Sequence, residues 1–196
     1  MTTHGKEENQ ERRQRILQAA RDVFASEGFR NAEVKTIAVR AGVGKATIYK
    51  HFESKEDLLL SLVQENFQCI RDIALTHLIG AGHPLQRFEK TCLGIADYLN
   101  SNRNFSRVLI REAGEFMPEI QRIHEAVVEA NQPFADAFFD AMKSEGMIPD
   151  IPNRTLLELL MNLTIGTVYS WTLREDRDLR GDVEFLFGLW QSRLTR

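Results

Sequence analysis

Residues Ala41–Phe52 read AGVGKATIYKHF. Its Gly-x-Gly-Lys suggests a loop that wraps a nucleotide's phosphates. Such a loop needs a glycine five residues before the second one and a hydroxyl directly after the lysine. Those positions hold Val39 and Ala46, so the loop can neither bend its amides around phosphates nor supply a side-chain ligand for magnesium.

Outward from this stretch, apolar residues recur at three and four and no long alternating run suggests strands, so the chain reads as all-α. The first helix carries Ile16, Ala20 and Phe24 on one face, flanked by Leu17 and Val23, and stops at Gly28. The second spans about 34–41 with Val34, Ile37, Ala38 and Ala41 inward, and Gly42 follows as a C-cap. The third is the opening stretch itself, from Lys45 to Phe52. A longer helix starts at Ser54, its N-cap, with Asp57 three residues on in a near version of the capping box. Further helices are expected at about 84–101, 104–115, 118–145, 153–174 and 182–194, with Pro133 kinking or splitting the 118–145 segment.

Composition excludes several classes. No run of about 18 apolar residues marks a membrane span and the polar start has no signal-peptide core, so a cytoplasmic protein without a membrane role is expected. Cys69 and Cys92 form no C-x-x-C pair and read as small buried residues rather than zinc ligands or a disulfide. The histidines (His4, His51, His77, His83, His124) lack metal-ligand spacing, and no G-x-S-x-G elbow occurs, so neither a metal, a cofactor nor an enzyme is expected. Net charge is -3, yet residues 1–56 carry eleven Lys/Arg against eight Asp/Glu and the remainder fourteen against twenty. Positive charge therefore gathers at the front, the sign expected where that part meets a polyanion.

Two short helices joined by GVG have the form of a helix-turn-helix, whose second helix fits the major groove of DNA. Ile48 and Phe52, four apart, point to the core and leave Lys45, Ala46, Thr47, Tyr49, Lys50 and His51 on the outer surface or its flanks. Lys45, Lys50 and Lys55 suit phosphate oxygens, and Tyr49 offers a hydroxyl to the same. Ala46 and Thr47 are small enough to let the helix approach thymine methyls, with Lys50 or His51 near base edges.

VKTIAVRAGVGKATIYKHFESKEDLL, residues 34–59, preceded by ILQAARDVFASEGF, resembles the DNA-binding signature of the tetracycline-repressor (TetR) family of bacterial transcription regulators. The resemblance is close over residues 10–60 and implies a nine-helix homodimer. It implies a helix-turn-helix domain at 9–54, with the motif at about 33–52, that binds operator DNA, and a larger ligand-binding and dimerisation domain at 55–196. Carried over, Lys45, Thr47, Tyr49, Lys50, His51 and Lys55 match positions that commonly touch DNA, and Thr36 lies where backbone contacts occur. Glu33 departs from the Ser or Thr that many members use to cap the second helix, and Gly44 replaces a frequent serine cap. The function implied is a repressor released from a palindromic operator by a small apolar or aromatic effector; a DNA-binding adaptor without a ligand is the alternative.

The last two helices are the expected dimer interface, because a helix apolar all round needs more cover than one core supplies. Leu156, Leu160, Leu163 and Val168 stand out on the first, and Phe185, Leu186, Leu189 and Trp190 on the second. For an effector pocket the aromatic and methionine-rich helices offer Phe67, Phe105, Phe116, Met117, Phe134 and Phe138, then Met161, Tyr169 and Trp171. Arg111 and His124 are the polar groups expected to orient a ligand there.

Overall fold

The computed structural model describes residues 3–112 and 115–194, with side chains over 5–112 and 115–189. Trp190 therefore has its side chain outside the described residues. Among the described residues there are nine helices and no strand: α1 Thr3–Glu27, α2 Val34–Ala41, α3 Lys45–His51, α4 Lys55–Leu78, α5 Pro84–Ser101, α6 Arg103–Glu112, α7 Met117–Ser144, α8 Asn153–Thr172 and α9 Leu179–Leu194. No helix of the described residues is long and apolar enough to cross a membrane.

The chain divides into two compact units, one of Met1–Asn66 with Asn104–Ile120 and one of Phe67–Arg103 with Gln121–Arg196. A division at 54/55 separates expected roles; compactness places the first half of α4 and residues 104–120 with the N-terminal helices. The reason is a shared core. Ile16, Leu17, Val23 and Phe24 of α1 meet Ile37 and Ala38 of α2, Ile48 and Phe52, Leu58 and Leu62 of α4, and Phe105 and Val108 of α6. Phe24 and Phe52 are 0% and 2% exposed, and burying such a ring contributes about 1.5–3 kcal/mol relative to leaving it in water.

Local chemistry sets the helix ends. Gly42 adopts φ 66, ψ 36 after α2, its N–H donates to Val39 O at 3.2 Å, and the Val43 N–H donates to Ala38 O at 3.0 Å. These two bonds form a Schellman motif, with Val43 packed on the core as its apolar contact. An alanine at 42 would force a Cβ into the left-handed region at a cost of about 1 kcal/mol. At α4 the Asp57 N–H donates to Ser54 Oγ at 3.1 Å, and Asp57 Oδ2 accepts from the Glu53 N–H at 2.9 Å. The box thus closes one residue outside the N-cap.

The second unit has two apolar clusters. One gathers Val128, Phe138, Phe139 and Met142 of α7 with Leu157 of α8; the other joins Ala96 and Leu99 of α5 to Trp171 and Leu179. Arg103 fastens the second cluster: its guanidinium lies 4.6 Å over the Trp171 ring and donates to the carbonyls of Arg177, Trp171 and Arg174. Pro133 does not split α7, which runs unbroken through it. Both Pro133 and Glu129, whose carbonyl the proline leaves without an amide, are exposed, so water can satisfy that carbonyl.

On α8, Leu156 and Leu160 pack into the first cluster and Val168 into the second. The outward face instead carries Leu159, Leu163 (69% exposed), Ile165 and Tyr169, and α9 exposes Phe185, Leu186 and Leu189. Of the four α8 residues expected at an interface, Leu163 alone lies on the open face.

Candidate nucleic-acid interface

The third helix is short and takes its direction from its neighbours. Ile48 is 1% exposed and Phe52 closes the helix, its N–H donating to Ile48 O at 2.9 Å. With those two inward, Lys45, Ala46, Tyr49 and Lys50 are exposed, while Thr47 and His51 sit half-buried on the flank. The exposed positions follow i, i+1, i+4, i+5, one continuous stripe of a helix. Gly44 precedes it with φ -76 and ψ 150 and no side-chain cap.

The stripe is electrostatically available. Lys45, Lys50 and, on α2, Lys35 have no carboxylate partner among the described residues, and the Lys45 ammonium stands 5.8 Å from the centroid of the Tyr49 ring. Arg40, also on α2, is paired with Asp22 at 3.2 Å. Thr36 is exposed beside Lys35. Lys35 is a cation that the sequence pattern alone does not single out, since a lysine on a solvated helix face carries no signal until its neighbours are placed. Glu33 is exposed at the N-cap of α2 and makes no side-chain cap.

Lys55 behaves differently from the other lysines. Its ammonium donates to the carbonyls of Phe29 at 2.9 Å, Arg30 at 3.2 Å and Ala32 at 3.1 Å, and it lies 4.7 Å over the Phe29 ring. All three of its protons are engaged within the unit, which leaves no free donor for phosphate.

The expected effector residues divide. Phe105 and Phe116 belong to the core of the first unit, where Arg111 and Met117 are exposed. In the second unit Phe138 and Met161 share one cluster and Trp171 is buried in the other, while Phe134 and Tyr169 are open to solvent. What stays together is Phe67 and His124, edge to face with centroids 6.4 Å apart. The His124 Nε2 is buried without a hydrogen-bond partner.

A helical stripe that is basic, without a carboxylate partner among the described residues, and set behind a glycine turn has the shape and charge that the major groove of DNA accepts. Residues 16–62, from within α1 through α2 and α3 into α4, match the family model for bacterial regulatory proteins, tetR family. The N-terminal unit is of the tetR family. Like members of that family, the chain is a DNA-binding transcription regulator. The curated relatives include the HTH-type transcriptional activator FasR of Mycolicibacterium smegmatis, 25% identical over 183 residues that cover 91% of this chain and 82% of FasR. Among solved structures, the fatty acid degradation regulator FadR from Bacillus halodurans superposes with a TM-score of 0.76 at 23% identity, covering 90% of this chain and 93% of that one. FadR from Bacillus subtilis, determined in complex with stearoyl-CoA, gives a TM-score of 0.73 at 22% identity over 90% and 96% of the two chains. These two structures share the fold with this chain.

Proposed function

We propose that this chain is a homodimeric, ligand-responsive repressor in the cytoplasm, with no enzymatic role, that leaves a palindromic operator when an apolar molecule occupies its second unit. The observation that carries DNA recognition is the partner-free stripe of α3. Lys45 and Lys50 on α3 and Lys35 on α2 take phosphates, with Tyr49 and Thr36 beside them, while Ala46, Thr47 and His51 face the bases. Lys55 serves this interface from behind by fixing the α1–α2 loop.

Dimerisation is supported by the outward stripes of α8 and α9. Leu159, Leu163 and Tyr169 lie on a face where Gly166 has nothing within 4 Å of an added Cβ, and a second copy is the partner that a two-fold operator requires. For the effector, the aromatic interior of the second unit and the unpartnered His124 nitrogen beside Phe67 suit a molecule with a long apolar body and one polar group. The stearoyl-CoA bound by the Bacillus subtilis FadR carries such a long apolar body, joined through a thioester to a large polar head. Release then follows from linkage: a ligand that prefers the conformer with the wrong separation of recognition helices lowers DNA affinity by about 1–3 kcal/mol.

The test is a gel shift on duplexes that the protein selects from a randomised pool, titrated with acyl-CoAs of increasing chain length. Loss of the shifted band at micromolar acyl-CoA supports the proposal. A band indifferent to every chain length favours the ligand-free adaptor, and a band strengthened by acyl-CoA reverses the sign of regulation.

A further inference from the structure

Residues 104–120 are built into the DNA-binding unit at both ends. At the start of α6, Phe105 is 2% exposed and lies 4.7 Å beneath the Arg21 guanidinium, which also reaches Glu65 at 3.4 Å. Past the end of α6 the contacts shift to the α1–α2 loop. Phe116 meets Phe29 edge-on with centroids 5.7 Å apart. Arg30 stands 3.4 Å from Glu112 and 3.7 Å from Glu115.

The asymmetry of that cluster is informative. The Arg30 side chain is 77% exposed, but that of Glu112 is 7% exposed. Glu112 Oε2 has no aligned hydrogen bond, so its attraction to Arg30 is coulombic. Arg30 is the cation that the described residues bring to this carboxylate. An exposed ion pair contributes little, whereas a buried carboxylate stripped of its cation is strongly unfavourable. The pair therefore holds the loop in place.

That loop runs straight into α2, whose N-cap Glu33 gives no side-chain cap. The start of α2 is thus set by what grips the loop: Lys55 through three carbonyls on one side and the two carboxylates through Arg30 on the other. We infer that Arg30 with Glu112 and Glu115 is a positioning latch for the DNA interface, acting through the placement of α2 and the glycine turn behind it rather than by touching DNA. The inference rests on DNA binding and is independent of the effector.

The test uses the full-length protein and a duplex that the wild type selects from a randomised pool; failure to enrich any duplex would count against DNA binding itself and not against the latch. Arg30→Gln and the near-isosteric Glu112→Gln are each expected to weaken binding about five- to tenfold and leave the slope of log K against log salt unchanged. The double variant should lose no more than the worse single one, since the two residues act as a pair. Amide exchange at residues 37–41, whose N–H groups carry the first helical bonds of α2, should quicken in all three when measured without DNA. Glu112→Gln removes a buried charge without removing packing, so it keeps the comparison open if Arg30→Gln fails to fold. The latch is overturned if Arg30→Gln lowers the salt slope by about one, which marks a phosphate contact, or if Glu112→Gln binds and exchanges like wild type.

Discussion

The Lys55 ammonium donates to the Phe29 carbonyl at 2.9 Å while standing 4.7 Å over the ring of the same residue. Twenty-six residues apart in sequence, the two close the α1–α2 loop onto the start of α4. Because two further carbonyls share the same ammonium, Lys55→Ala leaves three acceptors to find water. We expect a loss of about 1–3 kcal/mol of stability, read by thermal unfolding, together with weaker DNA binding at an unchanged salt slope. A stable variant with a flattened slope would return Lys55 to the phosphate contacts.

Lys50 and Thr47 separate positioning from reading. Lys50 is exposed and has no ion pair among the described residues, so Lys50→Ala should weaken binding to all duplexes alike and reduce the salt slope by about one. Thr47→Ala removes one methyl and one hydroxyl at the edge of the stripe. It should alter which sequences are enriched from a randomised pool with little change in slope. Equal enrichment profiles for Thr47→Ala and wild type would take Thr47 out of base reading.

Glu33 is an N-cap without a cap. Replacing it by serine supplies an oxygen for the free N–H groups of α2 and removes a carboxylate from the surface proposed to meet phosphates. Glu33→Ser should therefore stabilise the fold by about 0.5–1 kcal/mol and tighten DNA binding, most visibly at low salt. Unchanged affinity at 50 mM and 200 mM salt alike would place Glu33 away from the DNA.

Cys92 on α5 supplies a pH test of the second unit. Burial, with Glu89 adding to it, pushes its thiol up from 9.0 to about 12. The unfolded chain then ionises first as pH rises. The stability due to the protonated thiol is full below about pH 9 and is lost between 9 and 12. Alkylation by iodoacetamide at pH 8.5 should be far slower at Cys92 in the folded protein than in denaturant; equal rates would mean the thiol is not enclosed.

Much of the first unit was legible because its signals are local. Ile48 and Phe52 lie one helical turn apart and both are buried, and Gly42 stands where a left-handed cap is needed. Lys55 was not legible: a lysine at a helix start looks the same whether it faces phosphate or folds back on carbonyls 26 residues earlier. The expected effector residues divide between the two units for a related reason. Phe105 and Phe116 carry the same apolar spacing as pocket residues, yet Phe105 on α6 and Phe116 beyond its end pack on the core of α1–α3. On α8, apolar residues surround the helix, so spacing alone does not tell Leu160, packed inward, from Leu163, left open.

The central claim is that two copies of the α3 stripe read a two-fold site in DNA. Selection from a randomised duplex pool, followed by sedimentation of the complex with the selected duplex, tests it most directly. The selected site should be an inverted repeat whose half-sites lie about one or more helical turns apart, bound by an even number of protomers, with affinity that falls steeply as salt rises. Enrichment of no common sequence, or a complex holding a single protomer on an asymmetric site, would contradict it.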